Sequence, residues 1–357
     1  SDTGIVSPGQ DSLLARVAGM GFDIAGIVDH GDYFLVEGDI LLKKSDLPPV
    51  SSQRDRLRPS FQYHTTNRVD HGYYQIVYVD YSQIESQNAA WAAAIDQAMA
   101  AWNQIPGSSV HLTKWTPDPY YGPQVTIAFG SCPNTAIACA TFPSSSGEPG
   151  STIIIAHPGE SEKLRTVAHE LGHTLGLRHT DWNNRTCYNQ AQGYLYTCGE
   201  ARDPLGAVHI PNTPTSTFNG PASDPASVMN STGQVWNGFS FYDRVAVRYL
   251  FPGGDGPDGQ ASLNATTPTV TWPAMLDAVQ YDVYFQENRS VEHPIYGTWF
   301  EVVHTYVGST SSTSLTDYSR NFNHAQCGAW FPEGYLVRAR FADGTQTGFG
   351  NIACVGL

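Results

Sequence analysis

An α+β domain followed by an all-β sandwich is the architecture this sequence predicts, and three observations carry the prediction. Between about residues 73 and 175, segments with strand periodicity alternate with segments of helical periodicity, which builds a mixed sheet with helices packed on it. At residues 251–260, "FPGGDGPDGQ" crowds glycine and proline into a stretch that neither a helix nor a strand interior tolerates. From about residue 261 only alternating strands follow, spaced as in a sandwich of about 100 residues.

The elements follow in order. Residues 1–60 hold a short apolar–polar segment, "DYFLVEGDILLKK", and then "SDLPPVSSQRDRLRPS", whose prolines, serines and arginines read as an exposed linker open to proteolysis. "QIVYVDYS" is a strand. In "NAAWAAAIDQAMAAWNQI", Trp91, Ile95, Ala98, Met99 and Trp102 recur at helical spacing and give a helix with one buried face. "QVTIAFG" and "STIIIAH" are strands. Ser161 is an N-cap candidate for a helix over 162–175, along which Leu164, Val167, Ala168, Leu171 and Leu175 trace an apolar stripe. After the 251–260 linker, "PTVTWPA", "QYDVYF", "TWFEVVHTY" and "GYLVRARF" are the sandwich strands. The chain thus divides into 1–60, a domain over 61–252 and a β-module over 258–357.

Composition narrows the function classes. The 357 residues carry 19 basic and 33 acidic side chains, a net charge of −14, which argues against nucleic acid or an anionic membrane surface as partner. No apolar run approaches the roughly 18 to 20 residues that span a bilayer. A start at Ser1 rather than Met fits a chain whose export signal has been removed. Six cysteines fall into three close pairs, Cys132 with Cys139, Cys187 with Cys198 and Cys327 with Cys354. Pairing between sequence neighbours is the economical choice, and closing such loops contributes about 2–4 kcal/mol each. That usage points to an oxidising, extracytoplasmic compartment.

The chemistry concentrates in "HELGHTLGLRHTD", residues 169–181. His169 and His173, four apart on a helix, project from one face with Cβ atoms about 5–6 Å apart, close enough for two imidazoles to ligate one ion. Gly176 ends the helix in a left-handed conformation, and the chain turns back to deliver His179. Three imidazoles with no fourth protein ligand leave a coordination position open, as a catalytic zinc site requires. Glu170 lies beside the ligands and is placed to act on a water there, as general base and then acid in peptide-bond hydrolysis.

The pattern HExxHxxGxxH, here "HELGHTLGLRH", with Met229 downstream in "SVMNS" and the helical segment "FSFYDRVAVRYLFP" after it, resembles the metzincin zinc endopeptidases. Among these, "HELGH", "RHTDW" and "SVMN" look most like the bacterial dual-action HEIGH metallopeptidases, over about residues 60–252. The resemblance implies a twisted mixed sheet, an active-site helix and a Met-turn, with Met229 in an apolar floor under the zinc. It also implies an extended substrate lying along an edge strand, with "CATFPSSSGEPG" in the matching interval. The sequence departs from astacins and serralysins at Ser231, which stands where they carry a tyrosine, so no oxyanion-stabilising residue is assigned. Asp181 reads either as an anchor for the turn after His179 or as a solvated charge.

"LVEGDILL" resembles the FxGD element of astacin propeptides, which implies a latent form in which Asp39 is a fourth zinc ligand and cleavage falls between about 44 and 62, near Lys43, Lys44, Arg54, Arg56 and Arg58; the alternative is an N-terminal hairpin with a solvated Gly-Asp turn. In the C-terminal module Trp272, Tyr281, Val283, Tyr284 and the run Tyr335–Ala339 resemble core positions of fibronectin type III domains, with a tyrosine corner at Tyr335. The expectation is a monomeric, secreted or cell-surface bacterial zinc endopeptidase acting on proteins or peptides. The rival readings are an adhesive or substrate-binding protein with a silent zinc site, and a protease acting on glycoproteins.

Overall fold

The computed structural model describes residues 13–19, 27–36, 40–47, 62–118, 120–132, 136–181, 186–189, 194–197, 207–214, 224–231, 235–257, 260–264, 267–293, 297–320 and 333–354. The chain forms two compact units, one of Ser1–Gln104 with Val110–Leu250 and one of Ile105–Ser109 with Phe251–Leu357.

In the first unit the elements run α1 (Leu13–Gly19), β1 (Val28–His30), β2 (Tyr33–Val36), β3 (Ile40–Lys43), β4 (Tyr63–His64), β5 (Val77–Asp80), α2 (Ser82–Gln87), α3 (Ala89–Asn103) and β6 (Leu112–Lys114). They continue as β7 (Val125–Phe129), β8 (Ala138–Thr141), β9 (Thr152–Ile155), α4 (Lys163–Thr174), β10 (Thr186–Asn189), β11 (Tyr194–Thr197), β12 (Val208–His209) and α5 (Phe241–Leu250). One mixed eight-stranded sheet has the order β1-β2-β3-β8-β9-β7-β5-β6. β9, β7, β5 and β6 run parallel, while β8 is antiparallel to β9. The N-terminal segment adds three strands to this sheet, with β3 paired parallel to β8 at Ile40↔Ala140 and Leu41↔Thr141.

α3 is capped by Asn88, whose side chain accepts from the Ala90 and Trp91 amides. Its apolar face buries Trp91, Ile95, Ala98, Met99 and Trp102 as the spacing predicts. The Trp102 indole donates to the Ala168 carbonyl at 3.2 Å, tying α3 to α4 with a hydrogen bond in an otherwise apolar contact. Ser161 does not cap α4: its hydroxyl goes to Glu160, and Glu162 occupies the N-cap position with no side-chain cap. The Glu160 carboxylate accepts the Glu162 amide, at 2.9 Å, and this bond is the main reason its pKa is held below the usual carboxylate range. A cap at Ser161 would have served the amides of residues 163 or 164, whereas the longer Glu160 side chain reaches the amide of the N-cap residue itself.

The second unit carries β13 (Gln260–Asn264), β14 (Thr267–Thr271), β15 (Ala278–His293), β16 (Gly297–Thr310), β17 (Ser314–Thr316), β18 (Gly334–Phe341) and β19 (Ala353–Cys354). They form antiparallel sheets ordered β13-β14-β17 and β16-β15-β18-β19. Trp272, Tyr281, Val283, Phe285, Tyr335, Val337 and Ala339 make its core. Two expectations need correction. Tyr284 is not a core residue: the period of two puts it on the opposite face from Tyr281 and Val283, where its ring meets Tyr306 and Phe349. Tyr335 is buried and its hydroxyl donates to the Asp317 carboxylate at 2.9 Å, while the residues just upstream, 321–332, lie outside the described residues. β15 and β16, of 16 and 14 residues, are also far longer than the short strands the turn signals suggested.

Cys132 and Cys139 are bonded, and Cys354 is in a disulfide. Cys327 and Cys198 lie outside the described residues, so the other two pairings do as well. Among the described residues no helix is long and apolar enough to cross a membrane.

Candidate metal centre

α4 sets His169 and His173 one turn apart, with their Nε2 atoms 3.1 Å from each other. The helix then stops sharply. Gly176 has φ +100°, its amide bonds to the His173 carbonyl, and the Leu177 amide reaches back to the Gly172 carbonyl. This paired closure needs a left-handed residue, which glycine supplies without a Cβ clash. The reversed chain brings His179 Nε2 to 3.1 Å from His169 Nε2. All three rings are buried, and their candidate donor atoms lie within 4.8 Å of one another.

The hydrogen bonds on the far side of two rings assign their tautomers. His169 Nδ1 donates to the Val228 carbonyl at 2.7 Å and His173 Nδ1 donates to the Leu177 carbonyl at 2.8 Å. In the neutral rings both Nε2 atoms then carry lone pairs, which a cation seated between them would take up. Zn–N bonds of about 2.0–2.1 Å in tetrahedral geometry place ligand nitrogens roughly 3.3 Å apart, so the cluster fits zinc with little adjustment. Among the described residues this is the one group of three or more His, Cys, Asp or Glu side chains arranged for a metal.

Met229 is fully buried, and its sulfur sits over Gly172, where an added Cβ would come within 2.3 Å of Sδ. The turn that carries it is held at both ends. Asp181 accepts the Ser231 amide at 3.0 Å and the Ser231 hydroxyl, while the Thr180 amide donates to the Met229 carbonyl at 3.1 Å. Asp181 is thus an anchor and not a solvated charge, and Ser231 is its partner. At the other end Asp243, on α5, accepts from Ser227 and from the Val228 amide. Glu170 is 3 % exposed and adjoins His169 on α4. Phe142, just past β8, sets its ring edge-on to His173 at 5.4 Å.

A model of the dual-action HEIGH metallo-peptidase family matches residues 35–251. The chain belongs to that family. In this HEIGH metallo-peptidase the match begins at Leu35, ahead of the boundary expected at 61, so the hairpin of β2 and β3 falls inside it. No curated protein matches the chain. An Fn3-like protein from Clostridium thermocellum is 20% identical over 28% of this chain and 86% of its own, with a TM-score of 0.20. The FN5 domain of Drosophila Lar is 14% identical over 29% of this chain and 98% of its own, with a TM-score of 0.17. OgpA from Akkermansia muciniphila is 12% identical over 82% of this chain and 92% of its own, with a TM-score of 0.16. Likenesses at these scores carry no argument about fold or substrate.

Of the residues singled out from the sequence, His169, His173, His179, Glu170, Gly176 and Met229 come together here, and Asp39 lies outside the described residues. Gly172, Asp243 and His64 were not anticipated. His64, on β4, is buried beside the Leu177 turn; burial is the main cause that lowers its imidazole to about 4. Its Nδ1 donates to the Thr65 carbonyl and its Nε2 accepts from Arg68. An unfolded histidine titrates near 6.5, so the unfolded chain binds a proton that the folded one refuses. Stability from this group is complete above pH 6.5 and is lost as pH falls toward 4, by about 3 kcal/mol at 1.36 kcal/mol per unit. Unfolding free energies of the parent and of His64→Asn, compared across that window, should show a flatter profile in the variant. The comparison cancels titration of other groups, Asp243 and the histidine cluster among them.

Proposed function

We propose that this chain is a metzincin-type zinc endopeptidase, secreted and made as a zymogen. The observation that carries the reading is the convergence of three buried imidazoles, two of them held by carbonyls, with the buried Glu170 next to His169 on the same helix. His169, His173 and His179 would hold zinc, and the group they offer contains three donors, which leaves a coordination position for solvent or substrate. Zinc bound there supplies Lewis acidity, which acidifies water toward a pKa of about 7 and polarises a peptide carbonyl. Glu170 accepts the proton of the attacking water and delivers it to the departing amine. A silent site would have no use for that carboxylate, whose burial has a cost.

Residues 61–252 form the peptidase domain in this reading, and 258–357 a fibronectin type III-like module that spaces or tethers it. The N-terminal segment is the latency element. Asp39 directly precedes Ile40, the first residue of β3, and β3 lies along β8, the strand whose edge an extended substrate would use. β8 leads into Phe142, against His173. Leu41, Leu42 and Lys43 also line a cavity of about 400 Å³ together with Phe142 and Glu148. With β3 in place the main-chain groups of β8 are taken, and a tethered carboxylate acts at an effective concentration in the millimolar range or above.

Activity of the uncut chain on casein should rise on Asp39→Ala, and cleavage between 44 and 62 should raise it further. An uncut Asp39→Ala protein no more active than the parent counts against latency through that residue.

A further inference from the structure

We propose that Asp243 is a positioning residue for His169, acting through the Ser227 hydroxyl and the peptide group that joins Val228 to Met229. The links are continuous. The Asp243 carboxylate accepts the Ser227 hydroxyl, Ser227 Oγ accepts the Met229 amide at 3.0 Å, and the carbonyl of that same peptide group, from Val228, accepts His169 Nδ1–H at 2.7 Å. A negative charge at the hydroxyl proton makes the hydroxyl oxygen a stronger acceptor for the Met229 amide, and so makes the conjugated Val228 carbonyl a stronger acceptor. A stronger acceptor holds the proton on Nδ1, so that the lone pair faces the metal from Nε2, and it raises the basicity of that nitrogen. Where metal-binding histidines commonly lean on a carboxylate directly, this chain interposes a hydroxyl and one peptide unit of the Met-turn.

Asp243 is built for this beyond its duty at the start of α5. Ser240 and Asp243 cap that helix reciprocally: the Asp243 amide donates to Ser240 Oγ, and the Ser240 amide donates to Asp243 Oδ2, both at 3.0 Å. A cap needs no more. Yet Asp243 is completely buried, and it also receives Ser227 Oγ, the Val228 amide and Gln62 Nε2 at 3.0 Å. Burial raises its carboxyl to about 6 in spite of those donors. A carboxylate kept in the interior at that cost, with its second oxygen on the Met-turn, has a use that an exposed cap would not serve.

The inference rests on the metal-site reading, and the experiment separates the two. In nitrogen-15 histidine spectra of the zinc-loaded full chain, His169 should show a protonated Nδ1 with a slowly exchanging proton. Zinc affinity, measured by competition with a chromophoric chelator, should fall about 10- to 100-fold in Asp243→Asn and Asp243→Ala. Ser240→Ala, which breaks the cap and leaves the Ser227 link, should lower thermal stability and leave affinity within about threefold. An Nε2–H tautomer for His169 in the parent protein overturns the proposal without any variant. So does folded Asp243→Asn of parental affinity, or a loss in Ser240→Ala as large as in Asp243→Ala. If the parent binds no metal, the metal reading fails instead.

Discussion

Glu170→Gln should lower kcat/KM on a peptide substrate by about 10²- to 10⁴-fold while metal content stays at the parental level. The amide has the size of the carboxylate and keeps its hydrogen-bonding capacity, but it has no basic oxygen to take a proton at neutral pH. Glu170 is 3 % exposed, and an ionised carboxylate so placed costs desolvation energy in the folded state. The variant should therefore be as stable as the parent or more so, and Tm measured beside activity tests that directly. A protein that keeps its metal and retains activity within threefold would remove Glu170 from the chemistry.

The second large effect belongs to a residue without a side chain. A glycine within a helix costs up to about 1 kcal/mol relative to alanine, so Gly172 in the last turn of α4 needs a reason. The reason is on its open side: a Cβ there would meet Met229 Sδ at 2.3 Å and Trp102 Cζ2 at 3.4 Å. Met229 is fully buried and sits in a turn pinned by Asp181 and Asp243, so it has little room to withdraw. Gly172→Ala should destabilise by about 1–3 kcal/mol through overpacking, in spite of the gain in helix propensity. It should weaken metal binding too, since the same turn supports His169. In a Met229→Ala background, itself about 2–5 kcal/mol less stable, the clash is gone. Gly172→Ala should then be neutral or stabilising by up to about 1 kcal/mol. Denaturant unfolding of the four proteins measures the cycle, and an equal cost of Gly172→Ala in both backgrounds contradicts the packing explanation.

What the sequence disclosed and what it withheld divide by range of interaction. The histidine pair, the glycine stop and the apolar face of α3 depend on contacts within a turn or two, and periodicity displays them. Ser161 is a reasonable cap by type, but the helix starts one residue later than such a cap requires, and the neighbouring Glu160 side chain takes the Glu162 amide. Asp181, Ser231 and Asp243 are polar residues in irregular or helical sequence, and nothing local marks them as the clamps of the Met-turn. Only the fold brings position 181 to 231, and 228 to both 169 and 243. β3 on β8 is of the same kind: the hairpin can be read from alternation, but its partner one hundred residues away cannot. Tyr284 erred through face assignment, since one step along a strand exchanges core for surface.

The most direct test is the coordination of the metal in the purified, folded protein. Metal analysis with X-ray absorption should find one zinc per chain bound by three imidazole nitrogens, and His169→Ala, His173→Ala and His179→Ala should each remove it along with activity. A correctly folded chain that carries no transition metal, or that binds one equally well after all three substitutions, would contradict the account at its centre.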